Sequence, residues 1–275
     1  MTGLVLPSRR TDRTPDGSSR KSSRQEPAHR DARPILIRML DLAAVLSAAL
    51  LSAAIAHRLL SVSWDASVAA WSTAGMLLGY LLADLAAGVM HWLCDTFFRE
   101  ETPVIGRAFI HPFREHHRDP LAMTRHGFLE VNGSNCLALV PLLLALWMFA
   151  DVRSDGSIFL HVTTFAFALA TFATNQFHKW AHVAAPPPAV RWLQEHRLIL
   201  SPVHHLQHHT PPYRQAFCVT AGLLDPMLDR LRVFARVEAA VRRLRSMARG
   251  KGAGGDRGPG DAPNLRAPGS VGPPS

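Results

Sequence analysis

Three short stretches of this chain set imidazoles at spacings that suit a metal ion: His116-His117, His178-x-x-x-His182 and His204-His205-x-x-His208-His209. Neutral imidazole is the commonest protein ligand for iron, zinc and copper. Residues four apart on a helix project from one face a turn apart, so His178 with His182, or His205 with His209, can hold one ion. Four histidines in six residues are hard to explain as packing, because each buried ring would need its own hydrogen-bond partner. His91 and Asp95 add a mixed imidazole and carboxylate pair at the same spacing. The run His178-Lys179-Trp180-Ala181-His182 lacks the glutamate that a zinc protease uses as general base, so protease chemistry loses its main support.

Counting ligands narrows the choice further. A catalytic zinc takes three protein ligands and a structural zinc four, whereas His91, His116, His117, His178, His182, His205, His208 and His209 already make eight. Eight imidazoles at one depth suit two metals, and nitrogen ligation without thiolate suits iron, zinc or copper. Asp95 and His126 are candidates for orienting these ligands or binding a metal themselves, with His204, His196, His111 and Asn175 as possible additional ligands. Cys94, Cys136 and Cys218 are isolated and form no C-x-x-C pair, which argues against a thiolate site or a disulfide framework.

The elements that must carry these residues are apolar. Of 275 residues 48 % are hydrophobic, yet the formal charge is +9, and the two are segregated along the chain. Four stretches, 39–60, 71–92, 135–150 and 158–177, are candidates for crossing a bilayer, which takes about 20 helical residues. The third is short and contains Pro141, which fits a tilted or re-entrant segment. Residues 1–34 and 249–275 are rich in Arg, Ser, Pro and Gly and read as disordered tails around one membrane-embedded domain, 35–248. With the N-terminus in the cytoplasm, only Arg58 and Arg153 among the thirty Lys and Arg fall in the outside connections, so both termini and the active site are expected on the cytoplasmic side. In a bacterium that membrane would be the inner one.

This topology gathers the histidines at one membrane face. His91 ends the second crossing, His178 ends the fourth, and the His116 pair and everything after His178 lie on the same side. His161 stands 17 residues before His178, and His57 is likewise at the far end, so neither shares the site; His29 falls in the basic tail. The stretch 226–247 repeats Leu228, Leu231, Phe234, Val237, Val241 and Leu244 at helical spacing with arginines between them. It reads as a basic amphipathic helix on an anionic leaflet, or one packed on the domain itself. No nucleic-acid motif accompanies the basic charge, so a membrane surface is the expected partner and nucleic acid is not.

Several strings in order carry a resemblance. Asp84-x-x-x-Gly88-x-x-His91-Trp92-x-x-Asp95-Thr96, Pro103-Val104-Ile105-Gly106, Phe113-Arg114-Glu115-His116-His117-x-Asp119-Pro120, Thr124-Arg125-His126, Glu130-x-Asn132-Gly133-x-Asn135-Cys136, Asn175-Gln176-x-His178-Lys179-Trp180-x-His182 and the 204–209 cluster together resemble the lipid desaturase family of plasmanylethanolamine desaturases. The resemblance runs from about residue 75 to 230. Two positions depart from the family pattern, His111 where an Arg is usual and Gly127 where an Asp is usual.

The resemblance implies an all-α integral membrane enzyme of about four transmembrane helices with a cytoplasmic His-rich helical cap. It implies two iron ions, O2 as co-substrate, and formation of the vinyl ether bond of plasmalogens from a 1-O-alkyl phospholipid. A plant branch of the same family desaturates an acyl chain of phosphatidylglycerol, which is the alternative substrate. No cytochrome b5 module or ferredoxin cysteine set occurs in the chain, so an external cytochrome b5-like or ferredoxin-like donor is expected. Arg114, Arg118 and Arg125 are candidates for the lipid headgroup through bidentate phosphate contacts; Phe109, Ile110 and Phe113 are candidates for the chain entry. A membrane zinc hydrolase is the reading from another class.

Overall fold

The computed structural model describes residues 33–103, 106, 110–149 and 152–253. The expected tails, 1–34 and 249–275, lie outside the described residues except at 33–34 and 249–253, and His29 and Phe109 also lie outside them. Ten helices make up the described chain: α1 Ile35–Leu60, α2 Ala66–Thr96, α3 His111–Arg118, α4 Ala122–Arg125, α5 Phe128–Phe149, α6 Asp155–Ala181, α7 Pro188–Glu195, α8 Pro202–His208, α9 Asp225–Arg230 and α10 Val233–Ala253. No strand occurs among the described residues. Helices α1, α2, α5 and α6 are each long and apolar enough to span a membrane. Leucines such as Leu36, Leu50, Leu77 and Leu160 stand exposed on their outer faces, a surface matched to hydrocarbon rather than water.

All four helices exceed the stretches expected from hydropathy, α5 most of all. It starts at Phe128 rather than 135 and runs 22 residues straight through Pro141, so it is a full helix of about 33 Å and not a re-entrant segment. The amide N–H groups of its polar first turns find partners inside the bundle: Asn132 donates to the Phe128 carbonyl at 3.0 Å, and Asn135 donates to the Thr171 carbonyl of α6 at 3.1 Å. Bonds of this kind let polar residues enter a span, because hydrocarbon offers no water to replace them.

Packing pairs α2 with α6, α1 with α5, and α5 with α6. On α2 the buried stripe Ser72, Gly75, Gly79 and Ala83 lets the backbones of α2 and α6 touch. A Cβ on Gly75 would sit 3.0 Å from the Phe159 carbonyl oxygen, and one on Gly79 would strike Thr163 and Ala166. At the end remote from the histidines, Asp65 caps α2, Ser154 and Ser157 form a capping box on α6, and Ser67 donates to Asp155 at 2.6 Å. With that end fixed, the two helices run in register and deliver His91 and His178 to one level.

The basic helix expected over 226–247 is two helices, broken at Leu231 and Arg232, where Arg232 takes φ of 52°. Leu228 and Phe234 on either side of the break are buried with Trp92 and Phe217, which docks the start of α10 on the end of α2. Farther along, Arg236, Arg242, Arg243 and Arg245 remain exposed.

Candidate metal centre

Four elements meet at the end of the bundle. The last turns of α2 bring His91 and Asp95, α3 brings His116 and His117, the end of α6 brings His178 with His182 as its C-cap, and α8 brings His205, His208 and the capping His209. Two groups of potential ligands result: His91, His116, His117 and His208, and His116, His178, His205 and His209, the ligand atoms of each group lying within 4.8 Å of one another. His116 belongs to both, so the two groups adjoin. Asp95 joins the first, its Oδ2 lying 3.1 Å from His117 Nε2, 3.4 Å from His208 Nε2 and 3.5 Å from His91 Nε2. His182 joins the second, 3.0 Å from His205 Nε2.

Hydrogen bonding among imidazoles cannot account for this arrangement. Three ring nitrogens, from His178 at 2.9 Å, His182 at 3.0 Å and His209 at 3.0 Å, converge on His205 Nε2. A single imidazole nitrogen holds one proton or one lone pair, so it can satisfy at most one of those neighbours as donor or acceptor. The buried atoms His91 Nε2, His116 Nε2, His117 Nδ1, His205 Nδ1 and Asp95 Oδ1 have no hydrogen-bond partner. Convergent lone pairs beside orphaned buried nitrogens fit cations, and an all-nitrogen set with one carboxylate fits iron, zinc or copper.

The rings are held from behind. His91 Nδ1 lies 3.2 Å from the Phe217 carbonyl and His208 Nδ1 lies 3.0 Å from the Gln215 carbonyl, so each donates outward and turns its Nε2 lone pair inward. Burial, followed by the charge of neighbouring imidazoles, pushes His116 and His205 well below the usual histidine range, His182 down to about 4 and His209 down to about 3. These rings are therefore neutral at neutral pH and offer lone pairs without first losing a proton.

The loop that supplies those carbonyls is tied to α2 by a residue whose role sequence reasoning missed. Asp84 is fully buried and accepts backbone N–H bonds from Ala221 and Gly222 at 2.8 and 3.0 Å and from Leu223 and Leu224 at 2.8 and 3.3 Å. Asp225, also fully buried, accepts from the Cys218 N–H at 3.0 Å and pairs with His204 at 2.7 Å. For Asp84 an acid inside an apolar span was the available signal, since such residues are rarely tolerated without a task. Burial drives the Cys218 thiol far above its usual range, and it packs against α2 at Gly88, where a Cβ would come within 2.6 Å of its sulfur.

The other sequence candidates lie in neither ligand group. His204 faces Asp225, His111 lies exposed 3.0 Å from Glu100, His196 packs at a tilt on Trp192 with centroids 4.4 Å apart, and His126 lies 3.2 Å from Glu130. Asn175 donates to the Val131 carbonyl at 2.8 Å. Of the three arginines, Arg114 donates to the carbonyls of Asp95 and Phe98, Arg118 pairs with Glu100 at 2.7 Å, and Arg125 pairs with Asp119. Phe113 packs on His91 with centroids 5.4 Å apart, and Ile110 is buried.

Four membrane-length helices carrying a buried polyhistidine site at one end define an integral membrane protein with a candidate metal centre. Residues 80–249 match the lipid desaturase domain, and the chain belongs to that family. It is accordingly an oxidoreductase that desaturates lipid chains. The chain is 40 % identical over 206 residues to a plasmanylethanolamine desaturase of Myxococcus xanthus, covering 74 % of this chain and 72 % of that one. It is 38 % identical over 205 residues to plasmanylethanolamine desaturase 1 of Mus musculus, covering 73 % and 75 % respectively. Against the chloroplastic fatty acid desaturase 4 of Arabidopsis thaliana it is 36 % identical, over 58 % of this chain and 48 % of that one. No solved structure matches.

Proposed function

We propose that this chain is an O2-dependent di-iron membrane desaturase that forms the vinyl ether double bond of plasmalogens from a 1-O-alkyl phospholipid. The observation that carries the metal part is the convergence of three imidazole nitrogens on His205 Nε2 beside a second ligand group that shares His116. In this reading His91, His116, His117, His208 and Asp95 hold one iron, and His116, His178, His182, His205 and His209 hold the other. When bound, the irons supply a two-electron oxidation in which O2 takes two hydrogens from C1 and C2 of the alkyl chain, with two donor electrons and two protons, and leaves as two waters.

The chain's own part is geometry and exclusion. The carbonyls of Phe217 and Gln215 hold two rings in register, burial of His91, His116, His178, His205 and His208 keeps water away, and the helix ends put the site near the headgroup rather than mid-chain. The alkyl substrate is favoured over an acyl chain of phosphatidylglycerol by the two plasmanylethanolamine desaturases, which match more of this chain than the plant relative does. Electrons come from a separate cytochrome b5-like or ferredoxin-like protein. The Lys and Arg distribution supports a site and both termini in the cytoplasm, at the inner membrane if the source is bacterial.

Expression in a host that lacks plasmalogens but is supplied with alkyl-ether phospholipid tests the reading. Acid should release long-chain aldehyde from lipids of cells carrying the chain and none from cells carrying His178→Ala. Aldehyde from both would defeat the metal assignment, and a new acyl double bond without aldehyde would favour the phosphatidylglycerol substrate.

A further inference from the structure

A cavity of about 490 Å³ opens beside the first ligand group, walled by Asp95 and His117 on one side and by the start of α10 on the other. Its apolar wall is Trp92, Phe217 and Phe234, and its polar wall carries four guanidiniums, those of Arg114, Arg118, Arg214 and Arg242, against the carboxylates of Asp95 and Glu238. Both acids are already engaged. Asp95 faces three imidazoles, and Glu238 holds Arg242 at 2.7 Å.

Three of the cations are engaged too, Arg118 with Glu100, Arg114 with two backbone carbonyls and Arg242 with Glu238, while Arg214 has no hydrogen bond or ion pair among the described residues. The cavity thus has cationic capacity left over and no anion of its own to meet it. Arg214 is held close to the chemistry, because the adjacent Tyr213 sets its ring edge-on against the His117 ring with centroids 5.1 Å apart.

We infer that this cavity is the subsite for the phosphodiester of the substrate phospholipid, with Arg214 as its ligand. The inference rests on the lipid-desaturase reading of the adjoining metal centre and names its headgroup pocket. The physical case is a match of chemistry: guanidinium forks suit phosphate oxygens bidentately, and such bonds strengthen beside low-dielectric aromatic walls. In a glycerophospholipid the phosphate and C1 of the sn-1 chain are separated by only a few bonds. A pocket that shares His117 and Asp95 with the metal centre therefore suits a substrate oxidised at the headgroup end. A second cavity of about 480 Å³, lined by Arg191 and Arg197, reaches none of the metal-group histidines and supplies a control.

The test measures binding by the full-length purified chain in detergent, without turnover. The probes are 1-O-alkyl-2-acyl-glycerophosphoethanolamine and the matching 1-O-alkyl-2-acylglycerol, which lacks phosphate. Loss of one charge-assisted phosphate contact should weaken the phospholipid about tenfold in Arg214→Ala. Arg214→Lys should lose less, Arg191→Ala should lose nothing, and the phosphate-free lipid should bind all variants alike. Equal weakening of both lipids, or none of either, overturns the inference. Displacement of the phospholipid by millimolar inorganic phosphate would make this a free-phosphate site and overturn it, as would unchanged lipid binding with a raised requirement for the electron-donor protein. Arg214-dependent phospholipid binding by a wild-type chain that forms no vinyl ether would keep the subsite and remove the substrate reading instead.

Discussion

Replacing Asp84 should release metal from a centre the residue does not touch. Its carboxylate accepts four backbone N–H groups of the 221–224 loop, and two of their donors, Ala221 and Gly222, are themselves buried. A hydrogen bond to a charged acceptor contributes about 1.5–3 kcal/mol. Counting only the two buried donors, since the exposed Leu223 N–H can turn to water, Asp84→Ala costs about 3–6 kcal/mol. Asp84→Asn keeps the volume and one carbonyl oxygen and should cost about half as much. The loop runs directly on from Phe217, whose carbonyl holds His91, so a loosened loop frees a ring of the first ligand group. Metal content and thermal unfolding of each purified variant in detergent give the readout, with retained metal falling in the order wild type, Asn, Ala. Asp84→Ala that unfolds within about 1 kcal/mol of the parent and keeps its full metal complement would refute the reasoning.

Other expectations follow from the same geometry. His116→Ala removes the ligand common to both groups and should lower metal content and activity beyond the about 10–100-fold that outer partners cost, whereas His111→Ala, exposed beside Glu100, should leave metal content unchanged by elemental analysis. Gly79→Val forces a side chain into Thr163 and Ala166 of α6 and should destabilise the chain by about 1–3 kcal/mol, read as a lower unfolding temperature with less metal retained. Acid should destabilise the metal-stripped chain. His182 and His209 titrate in the folded state at about 4 and about 3, below 6.5 for the unfolded chain, so the unfolded state binds more protons and stability is lost as pH falls below about 6.5 toward 4. An unfolding temperature constant from pH 7 to pH 5 would contradict that sign.

The parts legible in the sequence were those governed by local spacing. His178 with His182 and the 205–209 triplet share a face through the helical repeat, and four hydropathic stretches declare the bundle. His204 shows what spacing alone leaves open: one position from His205 on α8, it is turned about 100° from it and meets Asp225. The start of α5 was hidden because Asn132 and Asn135 look like loop residues until the carbonyls of Phe128 and Thr171 are seen to take their protons. Asp84 could be recognised as an acid in an apolar span, but its partners lie some 137 residues away, and no local pattern encodes that closure. The break of α9 from α10 at Arg232 was equally invisible, since the apolar repeat passes through it without a change of phase.

Elemental analysis of the purified full-length chain bears most directly on the central claim. Two irons per chain are expected in the wild type, falling to less than one in His116→Ala because both ligand groups lose a member. Stoichiometric zinc without iron, in protein that still binds lipid, would contradict the account and point to a hydrolytic centre.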